Sequence, residues 1–255
     1  MDKKLMERVQ KLMKESTVKD NYNCPKCRDL GYTFEMGEDN NEIAVPCQCL
    51  SKKRAVENLK KCGLSDVFKK KTFESYKTLT TSQIAAKHKS LKYCKGDFQN
   101  KKSIILSGRC GTGKTHLGIA IMLNLIEQGV NCRYVEYNNM IISLKQSVMD
   151  ELNHLKEMEK LLNPLVLFID DFLKGKTTDS DLNYIYRIIN SRYLSNKQLI
   201  ISTEKSMEEI LSWDEAVGSR LVEMAGENII YFDESVLIDD KREEVIIGEN
   251  VEFLE

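Results

Sequence analysis

The chain has 255 residues, of which 42% are hydrophobic and 30% charged, and its net charge at pH 7 is −1. This length is enough to bury the core of one large domain with a small one, or of two modest domains. No apolar run approaches the roughly 18 residues that a membrane span needs, and the N-terminus lacks the features of a signal peptide. We therefore expect a cytoplasmic protein with no membrane partner.

The charges are distributed unevenly along the chain. Residues 51–102 contain 15 Lys or Arg and 4 acidic residues, whereas residues 204–255 contain 16 acidic and 4 basic residues. The basic stretch either follows a nucleic-acid backbone or is a solvated, lysine-rich surface. The acidic end is more typical of a solvated surface than of a binding site.

The first predicted element is an amphipathic helix over residues 2–18, in which Leu5 and Val9 share one face. This helix either packs on the rest of the chain or is offered to a partner. Helical patterns rich in lysine recur at 50–62 and 82–94, and the segment FKKKTFESY joins them. We interpret this segment as a connector that lies across the following domain.

Four cysteines form two close pairs ahead of this region. Two residues separate Cys24 from Cys27, one separates Cys47 from Cys49, and 19 lie between the pairs, with Gly and Asn turn signals that predict a small β-hairpin. Four thiolates suit tetrahedral structural zinc in a module too small to form its own apolar core. Free thiols and an iron–sulfur cluster are the alternatives, and the chain offers no redox partner site for the latter. Three further cysteines, Cys62, Cys94 and Cys132, are expected to be ordinary buried thiols.

After Lys102 short apolar strands alternate with helices, which predicts a parallel sheet with crossover helices on both faces. The predicted elements are strand 103–107, a helix through Ile126, strand 132–137, a long helix to Leu162, strand 165–170, a helix over 179–195 opened by a Ser or Asp cap, strand 198–202 and strand 228–232. The fold class is therefore α/β.

The segment GRCGTGKT joins the first of these strands to its helix, which is the order that a phosphate-binding loop requires. Glycines let successive amide hydrogens converge on phosphate oxygens, and the helix adds its positive N-terminal end. Lys114 is predicted to reach the β- and γ-phosphates, and Thr115 to bind magnesium. The residues predicted to bind ATP are Gly108, Arg109, Cys110, Gly111, Thr112, Gly113, Lys114, Thr115 and His116.

The partner motif is the apolar strand LVLFIDD, which ends in two carboxylates. Asp170 is predicted to hold magnesium, and Asp171 to act as a base or to direct the attacking water. Paired acids at a strand end also occur as simple turn residues. The next strand leads into Ser202, Thr203 and Glu204, whose side chains are predicted to lie beside the magnesium strand and to contact the attacking water, with Thr203 as the catalytic candidate. Arg220 in AVGSRLVE is the candidate arginine finger for the nucleotide of a neighbouring subunit.

The combination of CPKC and CQC, GTGKTHL, IDD and a GSR arginine resembles the bacterial and phage helicase loaders of the DnaC and DnaI type. Within this group, the cysteine module resembles that of the DnaI-like branch. The resemblance spans nearly the whole chain. It implies an AAA+ ATPase that binds a DnaB-type replicative helicase through its N-terminal region, helps place it on single-stranded DNA and self-associates through AAA+ interfaces.

The resemblance also implies roles for individual residues. Lys114 and Thr115 would bind nucleotide and magnesium, and Arg220 would be the finger in trans. Arg242, in DDKREEV, resembles the arginine that senses nucleotide in cis. The chain divides into a small α+β zinc-binding domain at 1–68, with the zinc module at 24–49, and an AAA+ ATPase domain at 69–255.

Two other functions compete with a loader. A transposition helper ATPase of the IstB type shares the P-loop fold but assembles on duplex DNA with a transposase. A nucleotide-binding zinc adaptor would bind ATP without productive hydrolysis, an idea supported by Asp171 at a position where Glu is commoner. A small-molecule kinase is disfavoured because no arginine-rich lid follows the P-loop.

Overall fold

The computed structural model describes residues 22, 24–36, 42–47, 49–50, 58–95 and 102–232. The predicted helix at 2–18, Arg242 and the acidic tail beyond Glu243 lie outside the described residues. Among the helices of the described ranges, none has both the length and the apolar character to cross a membrane.

The two cysteine pairs flank an antiparallel hairpin of β1 (Tyr32–Met36) and β2 (Glu42–Pro46). Tyr32 lies opposite Pro46, so the first and last residues of the hairpin are neighbours. The hairpin predicted between the cysteine pairs is therefore confirmed.

The connector contains a short 3₁₀ helix (Phe68–Lys70) and leads to α1 (Thr81–Cys94). The Thr80 hydroxyl caps α1 by accepting a hydrogen bond from the Gln83 amide N–H. The helix predicted over 82–94 is thus present, one residue longer at its start.

The α/β core follows the predicted alternation of strands and helices. Its elements are β3 (Ile104–Gly108), α2 (Lys114–Glu127), β4 (Cys132–Glu136), α3 (Tyr137–Ser147), α4 (Glu151–Leu162), β5 (Val166–Phe172), α5 (Asp179–Leu194), β6 (Gln198–Thr203), α6 (Met207–Trp213), α7 (Glu215–Ala225) and β7 (Ile229–Phe232). The strands pair in parallel in the order β4-β5-β6-β3-β7. This arrangement brings the carboxyl ends of all five strands to one edge of the sheet.

Helices cover both faces of this sheet, as predicted. Alternate residues of β5 point to opposite faces, so that Phe168 packs with α1 and α2 whereas Ile169 packs with α3 to α7. Helix α2 approaches the sheet closely at Gly118, where an added Cβ would lie 2.3 Å from the Phe168 ring. The fold is that of a P-loop AAA+ domain.

The predicted long helix to Leu162 is wrong, because α3 ends at Ser147 and a second helix begins at Glu151. The Asp150 carboxylate caps α4 by accepting from the Asn153 amide N–H. The start of α5 also differs from the prediction, because its cap is the hydroxyl of Thr178 rather than a Ser or Asp side chain.

Residues just before the predicted domain boundary at 68/69 pack on the α/β core. Cys62 and Leu64 are buried in the cluster that contains α2, and the Tyr134 amide N–H donates to the Cys62 carbonyl at 2.7 Å. The division at residue 68 stays a prediction, although these contacts associate the stretch with the core.

Arg192 on α5 is fully buried and joins the ends of several elements. Its guanidinium donates to four backbone carbonyls at 2.7–3.1 Å, those of Leu161, Pro164, Leu165 and Gln198. One side chain therefore satisfies the C-terminal end of α4 and the starts of β5 and β6.

Candidate functional site

The phosphate-binding loop runs from the end of β3 to the start of α2. Gly111 and Gly113 have φ angles of +82° and +99°, a left-handed conformation that favours glycine. Gly113 is also the N-cap of α2, and a Cβ at this position would lie 2.6 Å from the Tyr76 hydroxyl. Conformation and space therefore both require glycine at residue 113.

Lys114, the first residue of α2, is buried inside the loop. Its Nζ donates to the carbonyl oxygens of Gly108 at 2.6 Å and Arg109 at 2.7 Å. Burial lowers the pKa of Lys114, and the negative charges of Glu204 and Asp171 act in the opposite direction. The Lys114 ammonium group therefore lies beside the loop amides and the N-terminus of α2, and all three favour the binding of an anion.

Thr115 and Asp170 meet as the sequence predicts for a magnesium site. The Thr115 hydroxyl donates to Asp170 Oδ1 at 2.9 Å, and the Ser202 hydroxyl donates to the same oxygen. The Tyr134 hydroxyl donates to Asp170 Oδ2 at 3.0 Å, and burial followed by the charge of Asp170 raises the pKa of Tyr134, so this hydroxyl remains protonated. Donors from α2, β4 and β6 thus fix the carboxylate that the fold buries at the end of β5.

Asp171, near the end of β5, adopts φ +55°, and its side chain contacts Lys174 in the segment that follows the strand. Its Oδ2 lies 2.8 Å from Lys174 Nζ, which is also 3.6 Å from Glu204. The Asp171 amide N–H donates to the Ser202 hydroxyl at 2.9 Å. Asp171 is only partly buried, so its carboxylate is accessible to solvent.

The structure corrects the prediction for Thr203. This residue is fully buried, and its hydroxyl donates to the Phe172 carbonyl at 2.8 Å and accepts from the Lys205 amide N–H at 3.1 Å. Its hydroxyl is engaged within the backbone and does not face Asp170. The preceding residue, Ser202, is the one that contacts both acids.

His116 is also placed differently from the prediction. Its Nε2 lies 2.9 Å from the Thr72 carbonyl and 3.3 Å from the Ser75 hydroxyl, and its ring packs edge-on against Tyr76 with centroids 5.0 Å apart. Burial lowers the pKa of His116. The side chain therefore binds the connector, which lies across the domain as predicted.

The remaining loop residues, Arg109, Cys110 and Thr112, line the outer part of the loop. Arg109 and Cys110 are exposed, and the Thr112 hydroxyl donates to the Arg109 carbonyl at 2.9 Å. Cys110 is therefore a surface residue of the loop.

Arg220 on α7 is held against the neighbouring helix α5. Its Nε donates to Asn190 Oδ1 at 2.9 Å, and its guanidinium lies over the rings of Tyr186 and Tyr193, 5.2 and 5.7 Å from their centroids. These contacts pre-orient the guanidinium on the α5/α7 surface. Its role as a finger towards a neighbouring subunit stays a prediction.

The four cysteines around the hairpin converge. All four Sγ atoms lie within 4.8 Å of one another, with 3.7 Å between Cys24 and Cys47 and 3.1 Å between Cys27 and Cys49. A tetrahedron with Zn–S bonds of about 2.3 Å has S···S edges of about 3.8 Å, so the set fits this ion. The Gly31 amide N–H donates to the Cys27 sulfur at 3.3 Å. Hydrogen bonding from the Cys27 backbone lowers the pKa of Cys24 to about 7, whereas the side-chain hydrogen bond with Cys27 raises the pKa of Cys49 to about 12.

Comparison with known proteins places the chain in a class of ATP-binding proteins. The family described as IstB-like ATP binding protein matches residues 48–226, and the chain belongs to this family. The IstB type in this description is also the type of one of the two alternatives to a loader that the sequence leaves open.

Among curated relatives, the chain is 35% identical over 198 residues to the uncharacterized protein YqaM of Bacillus subtilis, a match that covers 72% of this chain and 62% of YqaM. It is 28% identical over 229 residues to the phage-like element PBSX protein XkdC of the same organism, with 82% of each chain covered. The matched region thus spans less than two thirds of the length of YqaM.

Among solved structures, the crystal structure of the DnaC helicase loader superposes with a TM-score of 0.60 and 25% identity, covering 66% of this chain and 100% of that chain. Insertion-sequence ATP-binding proteins match as well, for example that of IS5376 from Geobacillus stearothermophilus, with 28% identity over 129 residues, 50% of this chain and 49% of that protein. The chain is thus similar to proteins on both sides of the choice left open by the sequence.

Proposed function

We propose that this protein is an ATPase that loads a DnaB-type replicative helicase onto single-stranded DNA. The observation that carries the proposal is the likeness to the DnaC helicase loader over the whole of that chain, at 25% identity. The four-cysteine cluster, of which Cys24, Cys27 and Cys47 precede the family match and Cys49 lies at its start, adds a module at the end where a loader would bind its helicase.

In the proposed reaction Lys114 and the amides of Gly111 and Gly113 bind the phosphates of ATP. Lys114 would exchange its bonds to loop carbonyls for bonds to the β- and γ-phosphate oxygens. Thr115 and Asp170 would hold magnesium, which neutralises charge that develops on the transferred phosphoryl group.

The attack of water on the γ-phosphate involves residues at the rim of the site. Asp171 would direct the attacking water, and Lys174, paired with it, would fix the direction of its carboxylate. Arg220 of a neighbouring subunit would stabilise the transition state, so that turnover requires self-association.

The cysteine cluster would hold a structural zinc ion in the N-terminal module. Cys24, Cys27, Cys47 and Cys49 supply four sulfur ligands at the geometry of a closed site, with no position left for substrate. We infer that the ion stabilises the hairpin and so preserves the surface offered to the helicase.

Helicase capture tests the loader directly. The chain is mixed with a DnaB-type helicase, ATP and a single-stranded oligonucleotide, and complexes are separated by size exclusion. We expect co-elution with the helicase and transfer of the helicase to the oligonucleotide. Absence of any complex with the folded chain would overturn the loader proposal.

The family match and the IS5376 relative support a second candidate, a transposition helper that assembles on duplex DNA. Assembly on duplex DNA with a transposase, and no helicase complex, would favour this reading. An Asp171→Asn variant that binds ATP and keeps full biological activity would instead favour an adaptor that needs no hydrolysis.

A further inference from the structure

Two side chains from the connector and α1 bind one carbonyl oxygen of the phosphate loop. The Tyr76 hydroxyl donates to the Thr112 carbonyl at 3.4 Å, and the Gln83 side-chain amide donates to the same oxygen at 3.1 Å. Both residues belong to a segment, 72–83, that crosses the loop on its outer side and that we call the strap. The predicted role of this stretch was only that of a connector.

The two donors are fixed by their own surroundings. Tyr76 is buried, and burial raises its pKa to about 12, so its hydroxyl carries a proton to donate. Gln83 accepts a hydrogen bond from the Leu79 amide N–H through Oε1 at 2.7 Å. Because the amide oxygen of Gln83 is occupied in this way, its NH₂ group has to face Thr112.

These bonds set the orientation of the peptide unit between Thr112 and Gly113. The described residues contain no cis peptide bond, so the carbonyl and the following N–H point in opposite directions. With the carbonyl held by the strap, the Gly113 N–H is directed away from it. The Tyr76 ring fills the strap side, where a Cβ on Gly113 would meet its hydroxyl at 2.6 Å, so an anion has to approach from the other side.

We propose that Tyr76 and Gln83 are positioning residues for the nucleotide triphosphate, which act by holding the Thr112–Gly113 peptide with its N–H aimed at a phosphate oxygen. This inference rests on the proposed ATP binding and adds residues outside the loop motif. A peptide that is oriented before the ligand arrives avoids the cost of ordering it on binding. The strap thereby makes the affinity for ATP depend on a segment contiguous with the N-terminal module.

Conservative variants of the chain test the proposal. Tyr76→Phe removes only the hydroxyl, and Gln83→Glu keeps an acceptor for the Leu79 N–H while removing the donor to Thr112. From the usual strength of one hydrogen bond, we expect the Kd for Mg·ATP, measured by titration calorimetry, to rise about fivefold for Tyr76→Phe. For Gln83→Glu we expect about tenfold, because a carboxylate then faces a carbonyl oxygen.

Two matched variants act as controls. Tyr93→Phe removes a hydroxyl that donates to the Lys102 carbonyl, and Gln128→Glu removes an amide that donates to the Cys94 carbonyl at the far end of α2. Both lose a bond of the same kind away from the loop, so their Kd should stay within about twofold of wild type. Equal weakening in the controls would indicate general loosening and overturn the proposal.

Steady-state kinetics separates positioning from a structural role. We expect KM for ATP to rise in the Tyr76 and Gln83 variants while kcat stays within about twofold, because the groups around Asp170 are unchanged. If the wild-type chain binds ATP and both variants have the same Kd as the wild type, the positioning role of the strap is refuted while the proposed function remains. If the folded wild-type chain binds no ATP, the proposed function itself fails.

Discussion

Ser202 is the residue through which the structure connects the two acids of the site, and its removal gives a sharp test. Its hydroxyl donates to Asp170 and accepts from the Asp171 amide N–H. A hydrogen bond to a charged group contributes about 1.5–3 kcal/mol. Asp170 keeps two other donors, Thr115 and Tyr134, so we expect Ser202→Ala to cost the lower value, about 1.5 kcal/mol, equivalent to roughly a tenfold fall in kcat.

The adjacent Thr203→Val variant is the control for this experiment. It removes an equally buried hydroxyl of the same strand, but one that bonds only the Phe172 carbonyl and the Lys205 amide N–H. We expect it to lower the free energy of unfolding by about 1–2 kcal/mol while kcat per folded molecule is unchanged. Phosphate release is measured at saturating ATP and magnesium, with folding checked by urea titration of the fluorescence of the single tryptophan. If Thr203→Val reduced kcat as much as Ser202→Ala, the assignment of Ser202 to the site would be refuted.

Three further predictions concern assembly, stability and metal. Lys114→Ala and Arg220→Ala should each abolish ATP hydrolysis. Mixing the two variants should restore part of the activity, because the Lys114→Ala subunit supplies Arg220 and the Arg220→Ala subunit supplies the bound nucleotide. No recovery on mixing would argue against a finger in trans. Arg192→Met removes a donor from four carbonyls, of which that of Leu165 keeps the bond from the Gln198 amide N–H, and should lower the urea-derived free energy of unfolding by about 3 kcal/mol or more. An unchanged midpoint would contradict this account. Elemental analysis should find one zinc ion per chain in the wild type and in the control variant Cys62→Ser, and none in Cys47→Ser. Equal zinc content in the two variants would exclude the cluster as the metal site.

Features that depend on residues close in sequence were predictable. The phosphate loop is a strand, a glycine bend and a helix in direct succession, and Gly113 has both the conformation and the lack of space that the motif implies. The same holds for the hairpin, because its turn and its flanking cysteine pairs are local signals. The parallel sheet followed from strand–helix alternation, since crossover helices leave few other arrangements.

Contacts between distant residues were not predictable in the same way. Tyr134 is 36 residues from Asp170, and Gln83 is 29 residues from Thr112, so only the packed fold identifies them as neighbours. A tyrosine within an apolar strand is more typical of core than of a site, and a glutamine in a lysine-rich helix is more typical of surface. The break between α3 and α4 was missed for a related reason, because the helical pattern of apolar residues continues through Val148 and Met149, both exposed.

The hydroxyl that contacts both acids is that of Ser202 and not that of Thr203, for a geometric reason. Successive residues of a strand point to opposite faces, so only one of Ser202 and Thr203 can face the acid, and the choice depends on the register with β5. That register shifts between Ile169 and Phe172, where Asp171 leaves the extended conformation with φ +55°. Phe172 consequently pairs with Thr203 and accepts its hydroxyl, while Ser202 lies beside Asp170. Before the shift, the pairing of Ile169 with Ile201 already places Ser202 opposite Asp170, and the bulge gives Thr203 the partner Phe172 instead of Asp171. The β5–β6 register, which no local pattern announces, therefore decides which hydroxyl contacts Asp170.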